Sequence, residues 1–200
     1  MPSASRRLDS VCVYCASSNA ADAEFLAAAS ELGATLAREG LRLVYGGGGV
    51  GLMGACARAA HAAGGRVLGV IPHFLTSQER QLTTVETVVV DSMHERKMMM
   101  FEAADAFAIL PGAIGTLEEV VELLSWRRLG LHAKPIVFLD AKGFWKPLFD
   151  LFDHILDQNL IPPEFRETWQ SVERVEDILP TLRSMPTVAF TPLSNVADLT

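Results

Sequence analysis

The strongest constraint on the fold is an alternation. Short apolar or β-branched runs recur along the chain, separated by longer segments with apolar residues three and four apart. A strand that returns parallel to its neighbour needs a crossover of a dozen or more residues, usually a helix, and a sheet built this way is buried on both faces. The runs at 10–16, 41–45, 66–71, 87–90, 106–110 and 135–139 read as strands. Helical periodicity marks 21–38, 51–63, 94–103, 116–129 and 144–159, with a further helix from about 175 to 183. The expected fold is α/β: a Rossmann-like parallel sheet with helices on both faces, in a single domain. Residues 10–184 make up that domain. Residues 1–9 read as an N-terminal tail and 185–200 as a C-terminal tail, Pro- and Thr-punctuated, without periodicity and open to disorder.

Half of the 200 residues are hydrophobic, which suffices for one sizeable core. A net charge of -7 argues against a general nucleic-acid binder, which carries a basic face, but it leaves a small phosphorylated ligand open. The first ten residues lack the apolar run and cleavage site of a signal peptide. No stretch approaches the roughly 18 to 20 apolar residues of a membrane span. The expectation is a soluble cytoplasmic protein without membrane contact. Cys12, Cys15 and Cys56 are too few for a disulfide framework. Cys12 and Cys15 match C-x-x-C but lie inside an apolar run, whereas a redox pair of that kind opens a helix, so they read as buried strand cysteines. The five histidines are scattered, and no metal site is expected.

In sheets of this kind ligands sit beyond the carboxyl ends of the strands. The loops at 16–19, 46–51, 72–74 and 111–115 should therefore converge on one crevice. Pro111-Gly112-Ala113-Ile114-Gly115-Thr116-Leu117-Glu118-Glu119 follows an apolar run and opens a helical segment. Glycines let backbone amides approach a phosphate, and the first turn of a helix offers unpaired N–H groups at the positive end of its dipole. Glu119 has two readings. With Thr116 it forms an S/T-x-x-E capping box, in which the glutamate folds back on the cap; alternatively it faces something positive beside the phosphate. Met93-His94-Glu95-Arg96-Lys97 places adjacent cations ahead of this loop, which suits an anionic substrate as well as an ordinary solvated helix start. Gly49-Val50-Gly51-Leu52-Met53-Gly54 satisfies G-x-G-x-x-G, but the region around Ile71 lacks the acid that an NAD site requires, and no P-loop Lys-Ser/Thr follows. It reads as a tight helix–sheet turn or as backbone approaching a nucleotide or sugar phosphate.

Together, the segment from Tyr45 to Gly54, Gly69-Val70-Ile71-Pro72, Met93 to Lys97 and Pro111 to Glu119 closely resemble the LOG ("Lonely guy") family. These are cytokinin riboside 5'-monophosphate phosphoribohydrolases, often labelled lysine decarboxylase-like. The resemblance spans about residues 11–161 and includes Ser125-Trp126 and Leu129-Gly130-Leu131-His132-Ala133-Lys134-Pro135. It implies a Rossmann-like homodimer that hydrolyses the N-glycosidic bond of an N6-substituted adenosine 5'-monophosphate, releasing free base and ribose 5-phosphate, with no cofactor. The family's catalytic arginine and glutamate fall on Arg96 and Glu119. Its phosphate contacts fall on Gly112, Ala113, Ile114, Gly115 and Thr116, with Lys97 nearby and Ser125 where relatives often carry threonine. Gly47, Gly48 and Ser18 belong to the adjoining loops, and Glu79 supplies a further contact. Ala113 and Ala16 stand where relatives often have glycine. Alanine at 113 strains the loop only if its φ is positive; otherwise its methyl merely narrows the pocket. Lysine decarboxylation fits poorly, because Lys97 alone among the lysines lies near a site motif and it looks like an anion contact. A non-catalytic nucleotide or molybdopterin-like phosphate carrier is the other reading that the motifs allow.

Overall fold

All five residues of β1 (Ser10–Tyr14) are buried, and their side chains alternate between two cores. Val11 and Val13 join Leu43 and Tyr45 on one face, whereas Cys12 and Tyr14 join Val44, Phe107 and Ile109 on the other. This is the period-2 geometry of a strand covered on both sides. In the computed structural model, which describes residues 7–186, β1 is followed by β2 (Arg42–Tyr45), β3 (Val67–Pro72), β4 (Glu86–Val90), β5 (Ala106–Ile109), β6 (Ile136–Leu139) and β7 (Gln170–Val172). All six pairings are parallel, in the order β4-β3-β2-β1-β5-β6-β7. The expected α/β fold is the one observed.

Helices α1 (Ala23–Arg38) and α2 (Gly51–Ala62) cover the first face together with α6 (Ile178–Ser184), through Leu32, Leu52 and Ile178. Helices α3 (Met93–Glu102), α4 (Ile114–Arg128) and α5 (Lys146–Asp157) cover the second through Met100, Val120 and Phe152. Fully burying an aliphatic or aromatic side chain of this size contributes about 1.5–3 kcal/mol, so the two faces supply most of the drive to fold. Asp22 caps α1 by accepting the Glu24 N–H at 2.9 Å. Pro147, in the first turn of α5, costs no intrahelical bond there and is compatible with a start at Lys146 rather than Phe144.

Two elements differ from expectation. Gln170–Val172 forms a seventh strand that no apolar run announces; it is held at the sheet edge by its register with Val137, Phe138 and Leu139. The last helix is divided into a 3₁₀ turn over Val175–Asp177 and α6. Leu8 and Met185 are buried in the first core. Of the expected tails, residues 1–6 and 187–200 lie outside the described residues. None of the described helices is long and apolar enough to cross a membrane.

The topology decides where a crevice opens. β1 is bonded to β2 on one side and β5 on the other, so chain reversal occurs at this strand. Beyond it, Leu110 N–H donates to Tyr14 O at 3.0 Å and Ala16 N–H to Pro111 O at 3.1 Å, and the two chains then part toward α1 and α4. A switch point of this kind is where open α/β sheets bind ligands. Cys12 and Cys15 pack in different cores, and all three cysteines are free and buried. Burial pushes every one of these thiols up, Cys56 to about 12, which opposes thiolate chemistry.

Candidate active site

The crevice is lined by Tyr14 at the end of β1 with Cys15, Ala16 and Ser17 beyond it, Gly46 beyond β2, and Ala113, Gly115 and Thr116 beyond β5. Met53, Glu79, Arg96, Met100 and Glu119 complete its walls. The α4 start does not form the capping box, one of the two readings of Glu119. Ala113 is the cap residue, with no side-chain cap bond, and the first intrahelical bond runs from Leu117 N–H to Ala113 O at 3.0 Å. Thr116 is thus already the third residue of the helix and cannot cap it. Gly112 lies so close that a Cβ there would overlap the Thr116 side chain. A close relative of the capping box occurs instead at the start of α3: Ser92 Oγ accepts the Glu95 N–H at 3.1 Å, while Glu95 Oε2 reaches one residue past the cap to accept the Asp91 N–H at 2.9 Å. Glu119, free of a capping role, lines the crevice. The N–H groups of Ile114, Gly115 and Thr116 precede the first helical bond and offer an anion the positive end of α4.

Ala113 has φ -99° and ψ -157° and is exposed. Its backbone is extended, so alanine is unstrained there. Ala113→Gly should therefore change stability little, within about 0.5 kcal/mol, because the looser unfolded chain is offset by glycine being a better N-cap than alanine. Urea denaturation measures this, and a gain well above about 1 kcal/mol would mean that the alanine is strained after all.

Arg96 is buried and lies against the backbone of Gly46, to whose carbonyl its Nη2 donates at 3.2 Å. A Cβ at Gly46 would overlap that nitrogen. Glu79 Oε2 lies 4.0 Å from Arg96 Nη2; neither this oxygen nor Arg96 Nε has a hydrogen-bond partner in the structure. Burial pushes the Glu79 carboxyl up, against the pull of Arg96. Burial also raises Glu119 to about 7, opposed by Arg96 and reinforced by Glu118 and Glu79. The crevice thus holds one guanidinium and two carboxyl groups whose ionisation burial opposes, beside a helix start that attracts anions. Perturbed groups converging in a cleft are the usual mark of a reactive site.

Of the residues singled out from sequence, Glu79, Arg96, Ala113, Gly115, Thr116 and Glu119 come together around this crevice. Gly112 and Ile114 flank it in the same loop. Gly47 packs on Ile71, and Gly48 packs on Met53 and Glu79, one shell back. Ser18 Oγ accepts the Ala20 N–H at 3.2 Å, while its neighbour Ser17 lines the crevice. Ser125 opens on a separate groove with Val121, Phe152 and Ile155. Lys97 is bound to Glu118 and Glu122. Tyr14, Met53 and Met100 were not singled out, and Gly46 was expected only as part of the 46–51 loop. The G-x-G-x-x-G glycines pack rather than line the crevice: Arg58 Nη1 donates to Gly49 O at 2.7 Å.

A family model described as "Possible lysine decarboxylase" matches residues 53–182. The rice (Oryza sativa subsp. japonica) "Probable cytokinin riboside 5'-monophosphate phosphoribohydrolase LOGL9" is 43% identical over 182 residues, covering 87% of this chain and 80% of its own. The chain belongs to the LOG family. A second LOG relative, the cytokinin riboside 5'-monophosphate phosphoribohydrolase LOG5 of Arabidopsis thaliana, is 39% identical over 179 residues, covering 89% of this chain and 78% of its own. The LOG fold extends further: the molybdenum cofactor carrier protein of Chlamydomonas reinhardtii superposes with a TM-score of 0.68 at 20% identity, covering 90% of this chain and 98% of the carrier. At that identity the likeness shows the fold alone.

Proposed function

We propose that this protein hydrolyses the N-glycosidic bond of adenosine 5'-monophosphates carrying an N6 substituent, releasing the base and ribose 5-phosphate. The observation that carries this reading is the pairing of Arg96 and Glu119 at the wall of a crevice that opens on the α4 start. The phosphate is received by the amides of the first α4 turn and fixes the substrate. As the C1'–N9 bond breaks, positive charge grows on the ribose; the Glu119 carboxylate stabilises it and accepts a proton from the attacking water. The water oxygen bonds to C1', and the departing base carries away the bond pair and takes up a proton. Arg96 holds substrate oxygens and offsets negative charge on the leaving base. Lysine decarboxylation lacks support: Lys97 is held by two carboxylates, and Lys134 Nζ donates to Phe101 O at 2.6 Å.

The deciding experiment incubates the protein with AMP and with N6-isopentenyl-AMP and follows free base by chromatography. Release is expected from the N6-substituted nucleotide. Tight binding without release would overturn hydrolysis in favour of a carrier. The reading also includes a cytoplasmic homodimer. Exposed Val121, Leu129, Leu131 and Leu151 on or beside α4 and α5 support a second copy. Light scattering on a sizing column should give twice the 21.7 kDa chain mass, and a monomer would sink that part.

A further inference from the structure

We infer that Lys97 is a positioning residue, whose ammonium clasps α3 to α4 behind the crevice and so holds Arg96 and Glu119 at their working separation; this rests on the catalytic reading of that pair. Lys97 Nζ lies 2.6 Å from Glu118 Oε1 and 2.9 Å from Glu122 Oε2, and its side chain is only 13% exposed. Glu118 and Glu122 are four residues apart and share one face of α4. Successive helical residues diverge by about 100°. On α3, accordingly, Arg96 turns to the crevice while Lys97 turns to α4; on α4, Glu119 turns to the crevice while Glu118 turns to α3. One charged neighbour of each pair does the holding. Burial opposes the ammonium, but the bonds to Glu118 and Glu122 outweigh it and keep its pKa above the ordinary lysine value.

The far end of α3 has its own ties. Lys134 Nζ bonds Phe101 O, and the Phe101 ring stands edge-on to Trp126 with centroids 5.2 Å apart. The clasp therefore acts at the end where Arg96 sits. A direct phosphate contact would require Lys97 to leave two carboxylates, stranding them beside an incoming anion. The clasp also shapes the charge around Glu119, whose surroundings include Arg96 and Lys97 from α3, Glu79, Glu118 on its own helix, and the un-ionised Cys12 and Tyr14 of β1.

The test is a cycle of Lys97→Met, Glu118→Gln with Glu122→Gln, and all three together. Lys97→Met and the carboxamide pair are each expected to lower kcat by ~10-fold to ~100-fold through misplacement of the reacting groups. KM for the nucleotide should stay within about threefold, because no contact to it is lost. The triple variant should be no worse than either, and Lys97→Arg should restore kcat. Lys97→Met should also move the acid limb of the pH profile upward, since it leaves Glu118 unscreened. A raised KM at unchanged kcat in Lys97→Met, with the carboxamide pair kinetically silent, would overturn the clasp. If the native protein releases no base at all, the reaction reading fails and amide exchange in the unliganded protein decides the clasp: faster exchange over 93–97 in both variants supports it, and unchanged exchange overturns it.

Discussion

Glu119→Gln is expected to reduce base release by ~10²-fold to ~10⁴-fold, the usual range for removing a positioned acid–base group. The amide keeps the size of the side chain but cannot carry the charge that the ribose cation needs. The pH dependence gives a second reading. Burial lifts Glu119 to about 7, so the working carboxylate accumulates only as pH rises through neutrality. For the native protein kcat/KM should rise through pH 7 and then level, and the residual activity of Glu119→Gln should lack that limb. Stability should move the other way. Between the unfolded value of 4.5 and about 7 the folded state binds a proton that the unfolded chain has lost, so the favourable contribution fades as pH rises. Above pH 7 the native protein carries a charged, poorly solvated carboxylate at a cost of roughly 1–3 kcal/mol, which glutamine relieves. Glu119→Gln should therefore melt higher than the native protein at pH 8, with the gap closing toward pH 4.5. Native turnover would contradict the first argument, and a lower melting temperature at pH 8 the second.

Gly46→Ala should be nearly as damaging, although it adds one methyl group far from any charge in the sequence. The new Cβ would overlap Arg96 Nη2, so the guanidinium must move off the Gly46 carbonyl that now receives it. A displacement of about 1 Å at a reacting centre costs on the order of 10²-fold in rate. The loss of stability should be smaller, about 1 kcal/mol or less, because the atom that must move is the end of a flexible side chain. The two effects share one cause, which a double variant isolates: with Arg96 already replaced by alanine, Gly46→Ala should cost little more in either activity or denaturant midpoint. Additive losses would show that the glycine serves something other than the arginine.

The sheet and its helices were legible because both leave periodic traces, and the crevice beyond β1, β2 and β5 followed from topology, although the 72–74 loop expected there does not line it. β7 left none: three residues on a sheet edge, Gln170, Ser171 and Val172, are strand only because β6 bonds to them. The α4 start was ambiguous in the sequence for a related reason. Thr116-x-x-Glu119 and Ser92-x-x-Glu95 carry the same capping pattern, and what separates them is where the backbone turns helical. Gly112 allows the chain to turn two residues ahead of Thr116, so the first box is consumed inside the helix and the second caps α3. Lys97 carried the charge expected of an anion contact, but its partners lie 21 and 25 residues later on another helix, a separation that only the fold closes. Gly46 was hidden within a run of four glycines, where nothing local marks the one on which a guanidinium rests.

The extended backbone at Ala113 changes how this loop should be recognised in other chains. A pattern written in residue letters demands glycine at that position and would discard this protein. The requirement met at 113 is a dihedral one, a negative φ with the side chain turned to solvent, which any L-residue satisfies. At Gly112 the demand is steric and permits no substituent. A search profile that fixes glycine at 112 and frees 113 would gather chains that a literal glycine pair leaves out.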